Sequence, residues 1–219
     1  MNLPTAKLHL ETSMLMGVEF LPVAKKIDID PKTNKSTMLE QLKEKHDETC
    51  PHCTNATGFT HTVFGAGNSD ARLMFIGEAP GAEEDRQGIP FVGDAGKKLD
   101  EIITAMGMQR ENVYIANVLK SRPPDNRTPS PDEIAKCAPF LALQVEIIQP
   151  EVIVALGAPA AKFLLETSTG ITKLRGIWHE YKAIPVMPTF HPAFLLRNYT
   201  KLTRGQVWSD MKQVMEKLG

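Results

Sequence analysis

The chain lacks any apolar run of 18 residues, so no segment is long enough to cross a bilayer as a helix. It lacks a basic N-terminal region followed by an apolar stretch. Glu11 and Glu19 interrupt the only candidate, and the reading is a cytoplasmic protein with no membrane association. Cysteine is scarce: three among 219 residues, an odd number, two of them in Cys50-x-x-Cys53. That disfavours a disulfide scaffold and fits a reducing compartment with a metal or redox role. Neither sign of charge is in excess. With 25 Lys and Arg against 26 Asp and Glu the net charge is −1, so any contact with a polyanion needs a local patch. Internal repeats and low-complexity segments are absent. So are two phosphate-binding signatures, the loop ending Gly-Lys-Ser/Thr and the dinucleotide glycine spacing.

What is present is material for one sizeable core. Hydrophobic residues make up 42% and charged residues 23%, ordinary values for a globular chain. Residues 1–35 show no clear periodicity and read as a poorly ordered extension; residues 36–219 read as the domain. Residues 36–48 predict a short helix opening at a Ser or Thr cap and leading into Cys50-Pro51-His52-Cys53. Four short apolar runs, 72–77, 113–117, 151–156 and 184–190, read as buried strands. Helical patterns lie between them. Leu99, Ile102, Ile103 and Met106 keep helical spacing. Ser130-Pro131-Asp132-Glu133 is a capping box with proline in the first turn, opening a helix to about Ile148. Further helices are read at 157–165 and 206–218. Strands alternating with helices predict an α/β fold, a three-layer α/β/α sandwich around a mainly parallel four-stranded sheet.

Ligands of such sheets sit beyond the carboxyl ends of the strands, and three unusual segments fall there. The first is Gly77-Glu78-Ala79-Pro80-Gly81, followed by Glu83, Glu84 and Asp85. So many carboxylates suit a group that is neutral or becoming positive; the plainer reading is a tight turn with a solvated acidic helix start. The second runs from Asn117 through Lys120, Arg122 and Arg127, with prolines that stiffen it, and suits phosphate contacts or simply a rigid surface loop. The third places His191 at a strand end, before Phe194, Leu195, Leu196 and Arg197. Its apolar tip suits a wedge entering a base stack, or the start of a buried helix. Cys137 is either a metal ligand with Cys50 and Cys53 or a buried core cysteine.

Residues 77–100, 113–137 and 189–198, in this order and spacing, resemble family 4 of the uracil-DNA glycosylase superfamily, the iron–sulfur type found in many bacteria and archaea. The likeness runs from about His46 to the C-terminus. It implies an enzyme that flips deoxyuridine out of single- or double-stranded DNA and hydrolyses its N-glycosidic bond, leaving uracil and an abasic site. It implies a monomer that turns over, since the loop after the second strand has no inserted His of the kind a related branch uses to trap its substrate. The alternative is a metal-containing nucleic-acid-binding protein that keeps the fold without catalysis. By the same resemblance Glu78, Ala79, Phe91, Asn117 and His191 hold uracil: Phe91 stacks on it, Asn117 reads its edge, Glu78 helps exclude the thymine methyl and His191 donates to O2. Glu84 orients water or stabilises the sugar cation, so Glu84, Glu78 and His191 form the catalytic set. Lys120, Arg122, Asn126, Arg127, Leu195, Leu196 and Arg197 are implied DNA contacts. A 4Fe-4S cluster is implied on Cys50, Cys53 and Cys137, but Ser121 stands where the family carries its remaining cysteine. His46, Glu48 and His52 are substitutes close in sequence.

Overall fold

In the computed structural model residues 33–53 and 55–219 are described, and those from Asn34 onward form one unit. The extension expected over 1–35 lies almost wholly outside the described residues. Helix α1, Lys35–Thr49, is capped by Asn34, whose Oδ1 accepts from Thr37 N at 3.0 Å. Sequence reasoning placed this cap on a Ser or Thr; an Asn two residues upstream does the same work.

Strands β1 (Ala66–Gly67), β2 (Leu73–Gly77), β3 (Tyr114–Asn117), β4 (Val152–Leu156), β5 (His179–Tyr181) and β6 (Ile184–Thr189) form one sheet in the order β1-β3-β2-β4-β6-β5. The four central strands run parallel, and those expected from the sequence are these four. Every residue of β2, β3 and β4 is buried, as strands covered on both faces must be. The sheet nevertheless has six strands, not four. Two short antiparallel edges, β1 and β5, close it at either side. A two-residue strand and a His-Glu-Tyr strand carry too little apolar pattern to be read from sequence.

Helices α2 (Ala82–Gln87) and α3 (Asp94–Ala105) connect β2 to β3, and α4 (Pro131–Ile148) connects β3 to β4. Helices α5 (Ala158–Leu165) and α6 (Ile171–Leu174) follow β4, while α7 (Pro192–Arg197) and α8 (Lys201–Leu218) follow β6. The α4 capping box forms as read: Ser130 Oγ accepts from Glu133 N, and Glu133 Oε2 accepts from Ser130 N. Leu73, Phe75, Ile115, Val154 and Met187 face Leu99 and Ile103 of α3 and Val207, Met211 and Val214 of α8 in one core cluster. On the other face the Tyr114 hydroxyl accepts from Gln144 Nε2 of α4. No helix among the described residues is long and apolar enough to cross a membrane.

Candidate active site and metal centre

The parallel register brings the carboxyl ends of the strands level. Gly77 pairs with Asn117, and Leu156 pairs with Thr189. Just past these residues opens a cavity of about 550 Å³, lined by Glu78, Ala79, Glu84, Phe91, Asn117, Gly157, His191 and Arg197 among others. Two glycines make room for it. A Cβ on Gly77 would lie 2.4 Å from Asn117 Oδ1 and 2.6 Å from Phe91 Cζ. Gly157 has φ +89°, and a Cβ there would come within 2.9 Å of His191 Cβ. Sequence reasoning did not single out Gly157; a glycine between a strand end and a helix beginning Ala-Pro was the available signal.

Asn117 is 1% exposed, and its Oδ1 is buried without a hydrogen-bond partner. Buried polar atoms are nearly always satisfied, so an orphaned amide oxygen lining a cavity marks the place of a ligand donor. Phe91, held at φ 52°, covers one side with its ring centroid 5.6 Å from that of His191. His191 is set by the end of β6, where Thr189 Oγ1 donates to Asp210 Oδ2 of α8 at 2.6 Å. The His191 Nδ1 accepts from Ala193 N at 3.1 Å, so the ring proton sits on Nε2. Burial, then Arg197, pushes its pKa down to about 4, against the opposing pull of Glu84. The imidazole is therefore a neutral Nε2–H donor at ordinary pH.

The acidic run does three separate things. Glu83 pairs with Arg86 on the surface. Asp85 Oδ1 accepts from the backbone of Thr60 and His61. Glu84 Oε1 accepts from Val92 N and Gly93 N, both at 2.9 Å, and Oε2 from Gly81 N at 3.1 Å. Its charge faces the cavity while its oxygens staple the Phe91 loop to the start of α2. Glu78 is different: its carboxyl has no hydrogen-bond partner among the described residues, and burial raises its pKa.

The basic and apolar residues expected at DNA are divided. Arg122 and Asn126 are hydrogen-bonded to each other at 2.8 Å. Arg127 forks onto both oxygens of Glu133 at 2.7 Å, holding that carboxyl down at about 2, yet still lines the cavity with Arg197. Lys120 is a correction. It is fully buried, donating to Asn117 O at 2.8 Å and to Gln144 Oε1 at 2.5 Å, and cannot touch a DNA backbone. Burial lowers its pKa to about 7 against the pull of the Cys137, Cys53 and Cys50 thiols. Leu195 is a second correction: at 2% exposure it belongs to the core beneath α7, whereas Leu196 is 43% exposed.

Away from the cavity, His46, Cys50, Cys53 and Cys137 are all buried, with ligand atoms within 4.8 Å of one another, a group able to hold a metal. Cys137 is fully buried and stands beside Cys50 and Cys53, a placement that suits a metal ligand as well as a core cysteine. Of the three substitutes read from the sequence, His46 joins the group and Glu48 and His52 do not. A four-iron cube binds each thiolate to a different iron at a different corner, which holds the sulfurs far apart. Here Sγ of Cys137 lies 3.7 Å from that of Cys50 and 3.8 Å from that of Cys53, and the fourth cysteine is Ser121, with Oγ 3.5 Å from Cys53 Sγ. With His46 the group has the four donors a 4Fe-4S cluster needs, but these sulfurs stand closer than the corners of such a cube would hold them.

The family model described as the uracil DNA glycosylase superfamily matches residues 64–212. Over 179 residues the chain is 46% identical to the type-4 uracil-DNA glycosylase of Thermotoga maritima, spanning 80% of this chain and 92% of that one. It is 44% identical to the type-4 enzyme of Archaeoglobus fulgidus over 179 residues, 78% of this chain and 88% of the relative. It is 42% identical to that of Sulfurisphaera tokodaii over 187 residues, 81% and 84%. With this much identity across nearly the whole length of each relative, the chain belongs to the uracil-DNA glycosylase superfamily, in its type-4 branch.

Proposed function

We propose that the chain is a monofunctional DNA repair glycosylase that extrudes deoxyuridine and hydrolyses its C1′–N1 bond. The observation that carries this is the orphaned Asn117 Oδ1, buried in a cavity covered by Phe91 and opposed by a neutral His191. Uracil offers an N3–H for that oxygen and an O4 for the Asn117 amide N–H. Cytosine offers an acceptor at N3 and an amino group in place of O4, so both bonds turn repulsive. Phe91 stacks on the flipped ring. Ala79 and Glu78 bound the pocket edge where a thymine methyl would intrude.

When the bond breaks its electron pair leaves with uracil, and the His191 Nε2–H stabilises the resulting anion at O2. The sugar is left as an oxocarbenium ion facing the fixed negative charge of Glu84. Water adds at C1′ and loses a proton. Glu78, whose carboxyl is unpaired and raised in pKa, is the group placed to take it. Leu196 fills the vacated stack, and Arg122, Asn126, Arg127 and Arg197 supply the backbone contacts. Hydrolysis moves no electrons, so a metal centre on Cys50, Cys53 and Cys137 would serve the fold and not the chemistry. A monomer in the cytoplasm completes the reading.

The test is incubation with single- and double-stranded oligonucleotides carrying one uracil, followed by alkaline cleavage at abasic sites. Strand scission at uracil, and none at cytosine or thymine, is expected. Tight binding without an abasic product, unaltered in a His191→Ala variant, would replace this reading with a non-catalytic DNA-binding protein.

A further inference from the structure

We propose that His46, Cys50, Cys53 and Cys137 hold a single tetrahedral zinc ion in place of an iron–sulfur cluster. Three observations converge on it. The first is sulfur spacing. Zinc–thiolate bonds of about 2.3 Å in a tetrahedron place neighbouring sulfurs about 3.8 Å apart. The two sulfur separations that centre on Cys137 are 3.7 and 3.8 Å.

The second is the fourth ligand. Where a further thiolate is missing at Ser121, His46 lies one helical turn before Cys50 on α1, and it is fully buried. Its Nε2 is buried without a hydrogen-bond partner, while the ligand atoms of the group lie within 4.8 Å of one another. The spacing His-x3-Cys-x2-Cys, with a distant Cys137, gives a Cys3His set, a common closed donor set for structural zinc.

The third is the layer behind the histidine. His46 Nδ1 is 2.8 Å from Asp47 Oδ1, which directs Nε2 towards the thiols. Asp47 is itself fixed by Thr62 Oγ1 and Lys43 Nζ, each at 2.8 Å. A carboxylate behind a metal-binding histidine is the arrangement that sets tautomer and ring orientation. Phe64 and Phe140 pack on the ring, at 5.5 and 4.8 Å between centroids, and leave it no freedom to swing away. Three thiolates and one zinc would carry a net charge of −1. Binding would release the thiol protons and pin α1 to α4.

Metal analysis of the full chain, purified without air from cells supplied with both iron and zinc, decides the matter independently of glycosylase activity. About one zinc per chain, little iron and no brown absorption are expected. Replacing zinc with cobalt should give the intense visible bands of tetrahedral thiolate coordination, shifted in a His46→Cys variant that keeps its metal. His46→Ala should lose the stoichiometric metal. Asp47→Asn, which leaves all four ligands in place, should weaken zinc affinity by about 10- to 100-fold. About four irons with acid-labile sulfide, no metal at all, or zinc held equally well by His46→Ala would each overturn the assignment.

Discussion

Glu84 sits where the scaffold and the chemistry meet, and replacing it separates the two. Its carboxylate takes three backbone N–H groups while being only 9% exposed. Hydrogen bonds to a charged group contribute about 1.5–3 kcal/mol each. Three on one carboxylate do not add, so Glu84→Ala should cost roughly 3–5 kcal/mol. For a chain of this size about 1 kcal/mol lowers the melting temperature by about 2–4 °C, which predicts a fall of roughly 6–20 °C. Glu84→Gln keeps one oxygen for Val92 and Gly93 and turns its amide against Gly81 N–H, so its stability loss should be about 1–2 kcal/mol. It removes the negative charge, however, and its single-turnover rate should drop about 100- to 1,000-fold if that charge stabilises the sugar cation. Circular-dichroism melting and single-turnover cleavage of a uracil oligonucleotide read the two effects separately. An alanine variant melting within about 2 °C of the parent would refute the stapling role. A glutamine variant of undiminished rate would refute the electrostatic one.

Asn117→Asp should exchange the donor that uracil O4 needs for an acceptor. Excision of uracil should fall about 100-fold or more and cytosine excision should emerge, read on paired oligonucleotides; unchanged selectivity would remove Asn117 as the base reader. His191, with a native pKa of about 4 against an ordinary 6.5, stays uncharged where an exposed histidine would be protonated. The unfolded chain binds more protons than the native one between those values, so this group's stabilising contribution is complete above about pH 6.5 and is lost as pH falls towards 4. Nitrogen NMR of the imidazole should show the Nε2–H tautomer with no titration near 6.5, and a midpoint there would contradict the structure. Leu195→Ala and Leu196→Ala should part company. The first should lose about 2–5 kcal/mol of stability as a core truncation. The second should melt like the parent yet flip uracil more slowly in duplex than in single-stranded DNA, and a loss equal on both substrates would argue against a wedge.

The central sheet was legible because its strands are buried on both faces, which leaves unbroken apolar runs such as Val152–Leu156 with Gly and polar residues at their ends. The site was legible because loops after parallel strands converge, which brings Asn117 and His191 to one rim of the sheet. Lys120 misled because a cation in a Pro-rich loop beside arginines looks solvated. Only the fold reveals that Gln144, far along α4, and the Asn117 carbonyl form a buried acceptor pair for it. Leu195 and Leu196 could not be told apart in sequence, since which of two adjacent leucines faces inward depends on where a six-residue helix sits on α3 and α8. From the residues alone the carboxylates of 83–85 read as one acidic run, and only the resemblance sets Glu84 apart. Their partners, at Arg86, at 92–93 and at 60–61, are set by loop closure and not by local pattern.

The loop after β3 joins the two centres physically. At one end Asn117 offers its side chain to the cavity while its carbonyl takes the Lys120 ammonium. Lys120 spans to Gln144 on α4, and its own carbonyl takes Val63 N at 2.6 Å. The next residue, Ser121, lies against Cys53. A metal held by α1, the Cys53 turn and α4 would therefore fix both walls between which the loop runs, and the base-reading amide would inherit its position from them. In that arrangement Ser121 does not have to bind the metal. Its small hydroxyl lets the loop pass close to the thiols, and a histidine from the neighbouring helix can complete the coordination without moving Asn117.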